Sequence, residues 1–463
     1  MMSKNNGILV VLYTQEDITK YISSNLNEKN IFIFCPYDKK EFKNYRNINF
    51  YDNTKYEKLI QLKSLAVARK IYDKVINKKN FINIDIGLIE NIRNIFFVSF
   101  FSLFSISLSL NKFRNFKFKF FDGNSWKKYD DYNSFITNYL NNFLSKNLDF
   151  YSHFKPHKNN FYEKILNYLN QKILMFFKKK NIVLLSSQKK LYTKIINHSN
   201  TNNLYFIVIN NKDFKLYHII KNLLNLFRRS KKFFYYSPSN YNISGEKLSY
   251  FFNKFFEHIS TKETIYFEKN IKKILLNYCE NQILLMNDLR NFLNIFKIKY
   301  IIVDQLRFDI STILSSIGKE KKIDIILVPH GSLSKPNNTV TKFMYSLCGQ
   351  GMLFSELATH VISQTKISLD SINYYNQHSK VLKSKKIMFG EGELSKVQNS
   401  LNIKTFLHAS TPKSLYKWPW IHETYSEYIL NLKNIINVFA QIPNIKLVIR
   451  FRPSPECNLK KFK

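Results

Sequence analysis

The chain is poor in cysteine, glycine and proline: its 463 residues include 4 Cys, 10 Gly and 10 Pro. Cys35, Cys279, Cys348 and Cys457 lie far apart and form no Cys-x-x-Cys pair. This spacing excludes the usual zinc motifs and a dense disulfide framework, and it is typical of a protein of the reducing cytoplasm. The shortage of glycine and proline indicates few flexible linkers.

Acidic residues are also scarce: the chain has 33 Asp and Glu but 71 Lys and Arg, which gives a formal net charge of +38. Such a charge favours anionic partners, which include nucleotide phosphates, nucleic acids and anionic membranes. The basic residues are spread along the chain in ones and twos, and no nucleic-acid reader motif is recognisable. The main expectation therefore includes no nucleic-acid partner. A basic nucleic-acid-binding protein is kept as an alternative function.

No signal peptide precedes the first apolar run, and no long membrane-spanning segment is evident. One uncharged run, Ile95–Leu110, has 16 residues and includes five serines. This run is short for a transmembrane helix, so a buried helix or a pair of buried strands is favoured over an inserted element. We expect a cytoplasmic protein that associates peripherally with the inner face of the cytoplasmic membrane.

Short apolar runs alternate with amphipathic helical segments, which predicts a mainly parallel α/β sheet. The β-α-β opening is Rossmann-like, but it has no Gly-x-Gly-x-x-Gly fingerprint for a dinucleotide. Residues 110–180 and 212–296 are predicted to be mostly helical. The predicted strands are Gly7–Thr14, Ile31–Cys35, Asn181–Ser187, Leu204–Ile209, Tyr300–Val303, Ile325–Val328, Thr359–Thr365, Lys386–Gly392, Lys404–Pro412 and Asn444–Pro455.

The run Ile325–Val328 ends abruptly in Pro329-His330-Gly331-Ser332. Four consecutive apolar residues are typical of a strand that is buried on both faces of a parallel sheet. Ligands of such sheets bind beyond the carboxyl ends of the strands. An imidazole that titrates near neutral pH, next to a glycine that permits close approach, therefore points to chemistry at His330. The alternative is that His330 is a structural turn residue.

The last third of the chain carries an ordered set of short motifs at the ends of predicted strands. They are His330-Gly331, Val361–Ser363, Phe389-Gly390, Ala409–Pro412 and Arg452-Pro453. This set resembles glycosyltransferases of the GT-B fold that build bacterial surface carbohydrate, and the nearest comparison is the group of capsule-polysaccharide and CDP-glycerol glycerophosphotransferase-like proteins. The resemblance covers roughly residues 300–463.

The resemblance implies an α/β, GT-B-like fold in which two Rossmann-like domains face a cleft. Residues 1–395 would form the N-terminal, acceptor-side domain with helical insertions, and residues 396–463 would begin the C-terminal nucleotide-sugar-binding domain. Two departures bear on this expectation. The family's His-Pro is Arg452-Pro453 here, and a complete second domain needs roughly 100 further residues. A truncated, non-catalytic remnant is therefore the second alternative function.

The implied activity is the transfer of a sugar or a polyol phosphate from a nucleotide-activated donor to a surface-polysaccharide or lipid-linked acceptor. His330 would take the proton of the acceptor hydroxyl. Asp304 and Asp309 are weaker candidates, because Asp in this context often caps a helix. No cofactor and no metal are expected, since no Asp-x-Asp pair lies in a suitable loop. The residues expected to bind donor or substrate are Gly331, Ser332, Ser410, Thr411, Lys413, Arg450 and Arg452.

The segment Phe214–Phe234 carries an apolar stripe followed by a basic cluster that runs from Arg228 to Lys232. A helix of this kind can lie on an anionic membrane surface. It can equally be a core-facing helix with a solvated basic end. The sequence leaves both interpretations open.

Overall fold

The fold is taken from a computed structural model of the chain. The structure describes residues 7–12, 31–34, 48–51, 59–66, 110–121, 125–139, 161–186, 204–209, 216–227, 233–238, 268–307, 309–329, 349–364, 366–375, 379–383, 405–410 and 425–451, together with positions 20–21, 23, 69, 107–108, 142, 333, 335, 342 and 345–346.

The N-terminal part of the chain forms a five-stranded sheet in the order β3-β2-β1-β4-β5. Its strands are β1 (Ile8–Val11), β2 (Ile31–Phe34), β3 (Ile48–Tyr51), β4 (Lys117–Phe121) and β5 (Trp126–Tyr129). The first four strands pair in parallel, and β5 pairs antiparallel with β4. The strands β4 and β5 lie within residues 110–180, so the expectation that this region is mostly helical was wrong for them.

A seven-stranded sheet follows, and all of its neighbouring strands are parallel. Its strands are β6 (Asn181–Ser186), β7 (Leu204–Ile209), β8 (Phe233–Tyr236), β9 (Ile298–Val303), β10 (Asp324–Leu327), β11 (His360–Ser363) and β12 (Lys380–Lys383). The associated helices are α1 (Phe161–Met175), α2 (Leu216–Phe227), α3 (Glu268–Ile295), α4 (Asp309–Glu320) and α5 (Lys366–Tyr375).

The strand order β12-β11-β10-β9-β6-β7-β8 is that of a doubly wound sheet, compatible with a Rossmann-like fold. The chain starts in the middle at β6, moves outward to β8, and returns to build the other half from β9. The predicted α/β class is therefore confirmed. The strands β8 and β12, which are both edge strands, were not predicted from the sequence.

Both faces of the seven-stranded sheet are buried. In β6, Ile182 and Leu184 belong to a large apolar cluster that also includes side chains of α3 and α4. The alternate residues Val183 and Leu185 belong to a separate cluster with residues of β7 and β8. Because successive side chains of a strand point to opposite faces, burial on both faces requires a continuous apolar run. This requirement is why the central strands could be identified from the sequence.

Asparagine side chains from two helices cover the outer edge of β8. The amide of Asn222 in α2 accepts a hydrogen bond from Tyr235 N (2.9 Å) and donates one to Tyr235 O (2.8 Å). Asn170 of α1 also donates to Tyr235 O, and Asn225 donates to Phe233 O. These side chains satisfy backbone groups that a free edge strand would leave open for pairing with another chain.

The C-terminal described residues form a smaller unit, composed of β13 (Thr405–Ser410), α6 (Tyr425–Ala440) and β14 (Lys446–Phe451). The two strands pair in parallel and make a sheet of their own. The expected domain boundary near residue 395 lies outside the described residues, so the division into domains 1–395 and 396–463 stays a prediction. The strand expected at Lys386–Gly392 also lies outside them.

None of the helices in the described part of the chain is long and apolar enough to cross a membrane. Most of the uncharged run Ile95–Leu110 lies outside the described residues.

The side-chain amide of Asn222 should stabilise the protein by pairing with the backbone of Tyr235 at the edge of the sheet. Asn222→Leu leaves the buried N–H of Tyr235 without its partner, and an unsatisfied buried donor costs on the order of 2 kcal/mol. We expect a loss of about that size in the free energy of unfolding, measured by urea denaturation. Asn434→Leu, at an exposed position of α6, is the matched control and should change stability little. Equal stability of the two variants would contradict the edge-capping role.

Candidate functional site at the carboxyl edge of the seven-stranded sheet

The candidate site lies where β6 and β9 meet at the carboxyl edge of the sheet. The chain leaves β6 toward one half of the sheet and leaves β9 toward the other, so this is the topological switch point. Ser186, the last residue of β6, pairs in register with Val303, the last residue of β9, and Val303 pairs with Leu327 of β10. The three strand ends are therefore level. In open α/β sheets, ligands bind next to such a point.

The segment that leaves β9 is held by the turn around Gly351. Asp304 is buried directly after the strand. Leu306 N donates to Gly351 O at 2.5 Å, and Arg307 Nε donates to Gln350 O at 3.2 Å. These bonds join residues more than 40 positions apart in the chain. They place the Arg307 guanidinium, a cation suited to phosphate, beside the carboxyl end of β9.

The turn around Gly351 requires glycine. Its φ of +75° lies in the left-handed region, and a Cβ there would lie 2.4 Å from the carbonyl oxygen of Leu306. Gly351 N also donates to Phe354 O at 2.8 Å. The backbone of the turn therefore packs directly on the segment that leaves β9.

The segment that leaves β10 is held by β11 and α5. The ladder with β9 continues beyond the strand, because Val328 N donates to Val303 O at 2.8 Å. The buried Pro329 follows, and its carbonyl accepts a hydrogen bond from Gln364 Nε2. Four residues later the carbonyl of Leu333 accepts a bond from Ser371 Oγ of α5. Both flanks of the His330-Gly331-Ser332 segment are thus anchored.

The hydroxyls at the end of β11 position Gln364. Ser368 Oγ accepts a hydrogen bond from Gln364 N at 3.1 Å and lies 3.3 Å from Ser363 Oγ. Ser363 and Ser368 are both buried. This local network explains why Gln364 is directed toward the carbonyl of Pro329.

Asp309 is completely buried in the first turn of α4. Its carboxylate accepts bonds from Ile310 N at 2.8 Å and from Gln282 Nε2 at 3.2 Å. The sequence-based interpretation of Asp309 as a residue at the start of a helix agrees with this geometry. The negative charge also lies at the positive end of the α4 dipole.

Of the site residues predicted from the sequence, six lie outside the described residues: His330, Gly331, Ser332, Thr411, Lys413 and Arg452. The other two, Ser410 and Arg450, belong to adjacent parallel strands. Ser410 ends β13 opposite Phe451, and Arg450 of β14 is opposite Ala409. The register therefore brings Ser410 and Arg450 to the same carboxyl edge of the small sheet.

Sequence reasoning missed Arg307 and Gln364. Each follows a strand end by only a few positions, which was the available signal. Their partners, Gln350 and Pro329, are distant in the chain, so no local pattern revealed the contacts.

Among the residues that the structure describes, no group of three or more His, Cys, Asp and Glu could hold a metal ion. The expectation of metal-free chemistry stays a prediction. Near this edge, the Arg307 guanidinium is a described group that suits an anionic ligand.

A separate cavity of about 260 Å³ lies between α1, β8 and α3. Inside it, Tyr236 donates a hydrogen bond to the buried carboxylate of Asp288. Strand β8 is two strands from β6, a distance of roughly 10 Å at the usual strand spacing, and none of the residues that line the cavity belongs to the candidate site. The cavity is therefore distinct from the candidate site at the switch point.

Gly351→Ala tests the packing of the turn on the segment that leaves β9. The added Cβ meets a backbone oxygen in a left-handed conformation, so we expect a loss on the order of 2 kcal/mol in the free energy of unfolding. Gly318→Ala in α4 is the control, because its Cβ would meet side chains and no backbone: the terminal Cδ1 of Ile301 at 2.5 Å, which must shift, and Ile325 at an ordinary 3.6 Å. Alanine also favours the helix. Thermal unfolding of both variants gives the comparison. A smaller loss at position 351 than at position 318 would show that the turn can move.

No protein-family model matches the chain, and a comparison with curated proteins finds no match either. The functional assignment is therefore built on the topology of the sheet and on the groups at its carboxyl edge.

Proposed function

We propose that the protein is a glycosyltransferase that moves a sugar or a polyol phosphate from a nucleotide-activated donor to a surface-polysaccharide or lipid-linked acceptor. The observation that carries this proposal is the doubly wound order of the seven-stranded sheet. In that order β10 lies next to β9, on one side of the switch point, and its carboxyl end leads directly into His330-Gly331. This is the position at which α/β enzymes place ligands.

The proposed acid–base chemistry centres on His330. Its imidazole takes the proton of the acceptor hydroxyl as the oxygen attacks the donor, at the anomeric carbon when a sugar is transferred and at the distal phosphorus when a polyol phosphate is transferred. A bond forms between the acceptor oxygen and the attacked atom, and the bond from that atom to the oxygen of the leaving nucleotide phosphate breaks. The nucleotide leaves with the electron pair, and the imidazolium later releases the proton to water.

The leaving phosphate needs positive charge or N–H donors. Arg307 supports this role on the side of the seven-stranded sheet. In the small C-terminal sheet, Ser410 and Arg450 lie at the same carboxyl edge, which supports donor binding there. Thr411, Lys413 and Arg452 follow these two residues in the same two chain segments. Gly331 and Ser332 would contact the substrate beside the base. The proposed reaction requires neither a metal nor a cofactor.

The proposed architecture is GT-B-like. Residues 1–395 would form the acceptor-side domain, and residues 396–463 would belong to the nucleotide-sugar domain on the opposite side of a cleft. The parallel pairing of β13 and β14, which carry Ser410 and Arg450 at or next to their carboxyl ends, supports this arrangement. The proposed location is the cytoplasm, at the inner membrane face where lipid-linked acceptors are found.

Replacement of His330 tests the proposed reaction. In the protein expressed from its complete natural gene, we expect His330→Ala to lower turnover by roughly 10²–10⁴-fold, the usual contribution of a general base. Turnover is measured as nucleotide released from a panel of nucleotide-activated sugars in the presence of membrane extract as acceptor. Donor affinity, measured by calorimetry, should change little in this variant, whereas Arg450→Ala should weaken it.

His360→Ala is the matched control. His360 begins β11 at the opposite edge of the same sheet, where its Nδ1 lies 3.8 Å from Asp324 Oδ1. This variant should keep the parent turnover. Turnover of His330→Ala within a factor of a few of the parent would make His330 a turn residue. Absence of any nucleotide-sugar binding by the natural protein would instead support the alternative of a non-catalytic remnant.

A further inference from the structure

Helix α2 buries its polar side and exposes its apolar side. Its buried residues are Ile219, Asn222 and Asn225, and the two asparagines bind the edge of β8. The exposed large side chains are Leu216, Tyr217, Ile220, Leu223, Leu224 and Phe227. An ordinary surface helix shows the opposite arrangement. Helix α2 does contact the core, because Ile219 is buried and Leu226 packs against the large apolar cluster, but most of its large apolar side chains are exposed. The basic cluster from Arg228 to Lys232 lies outside the described residues.

Helix α1 packs beside α2 and continues the exposed apolar surface. The contact between the two helices includes a 2.7 Å hydrogen bond from Asn222 Nδ2 to Asn170 Oδ1. The exposed side chains on this helix and just after it are Ile165, Tyr168, Leu169, Met175 and Phe176. We call the outward side chains of these two helices the α1–α2 face. A group of exposed large apolar side chains on two helices that pack together is typical of an interaction site.

The charge around the α1–α2 face selects an anionic partner. Residues 161–180 and 214–234 contain eleven Lys and Arg and one acidic residue, Glu163. Lys172, Lys178, Lys179 and Lys180 are all exposed. Burial opposes a charge on Lys221, but its hydrogen bond to the Tyr235 hydroxyl at 3.0 Å raises the pKa of Lys221 above its ordinary value. Lys221 therefore remains a cation at neutral pH.

We propose that the α1–α2 face docks on an anionic lipid bilayer, with the apolar side chains inserted among the acyl chains and the lysines against the headgroups. Aliphatic residues dominate the face, which suits acyl chains better than the flat bases of a nucleic acid. A second copy of this chain would bring its own positive charge to the same surface. Docking does not depend on the proposed transfer reaction.

The cavity between α1, β8 and α3 adjoins this face. Tyr168 and Met175 belong both to the α1–α2 face and to the cavity wall. Bilayer lipid would therefore lie next to the mouth of an aromatic-lined cavity.

Vesicle co-sedimentation tests the proposal. We expect the full chain to bind vesicles of phosphatidylcholine mixed with phosphatidylglycerol more strongly than vesicles of phosphatidylcholine alone. Leu224 and Phe227 are 51% and 80% exposed, so their replacement by serine leaves the core intact. The double variant Leu224→Ser/Phe227→Ser should lower the partition coefficient at least about tenfold, because burial of one large apolar side chain contributes on that order.

Two matched controls accompany the double variant. Ile367 of α5 is 69% exposed and lies outside the face, so Ile367→Ser should bind like the parent. Lys178→Gln/Lys179→Gln should weaken binding to the anionic vesicles by about fivefold per lysine. Lys366→Gln/Lys380→Gln, at exposed positions elsewhere, should have a much smaller effect.

Several results would overturn the docking proposal: no binding by the parent, equal binding to neutral and anionic vesicles, or equal loss in Ile367→Ser and the double variant. Light scattering gives a further test. If the parent is an oligomer and Leu224→Ser/Phe227→Ser is a monomer, the α1–α2 face is a contact between copies of the chain and the docking proposal is wrong. His330→Ala should bind vesicles like the parent. Failure of the proposed reaction and failure of docking are therefore distinguishable.

Discussion

The pairing of β6 with β9 joins the two halves of the seven-stranded sheet. On one side of this pairing lie β7 and β8 with α1 and α2, and on the other lie β10, β11 and β12. The register continues to the last residue of each strand, where Ser186 is opposite Val303, despite an irregularity between Ile182 and Val183. Because the strands are parallel, this one register makes their carboxyl ends level. The candidate site exists at that edge for this reason.

The hydrogen bonds that anchor the candidate site also depend on the level carboxyl ends of these strands. Segments that leave strands at a common level can bond to one another across short distances. The bonds from Arg307 to Gln350 O and from Gln364 to Pro329 O are of this type. They satisfy backbone carbonyls that would otherwise be desolvated, and they hold polar side chains where a ligand would approach.

The opposite end of the sheet illustrates a conflict between edge protection and solubility. The outer edge of β8 needs polar partners, and α2 supplies them with Asn222 and Asn225. A helix has only one buried side, so Leu216, Ile220, Leu223, Leu224 and Phe227 turn outward. The exposed apolar surface is thus coupled to the way in which the sheet is closed. A bilayer would cover this surface without altering the edge contacts.

The sequence by itself determined the α/β class and most of the central strands. Burial on both faces requires continuous apolar runs such as Val183–Leu185 and Ile325–Leu327, and local composition carries that information. It also indicated the helix start at Asp309 and the strand end before Pro329. Only the tertiary structure decided the strand order, the edge strands β8 and β12, and the outward side of α2. These features depend on contacts between residues far apart in the chain, such as the contact of Asn170 with Tyr235. The stabilisation from such contacts cannot be recognised in the local sequence of either segment.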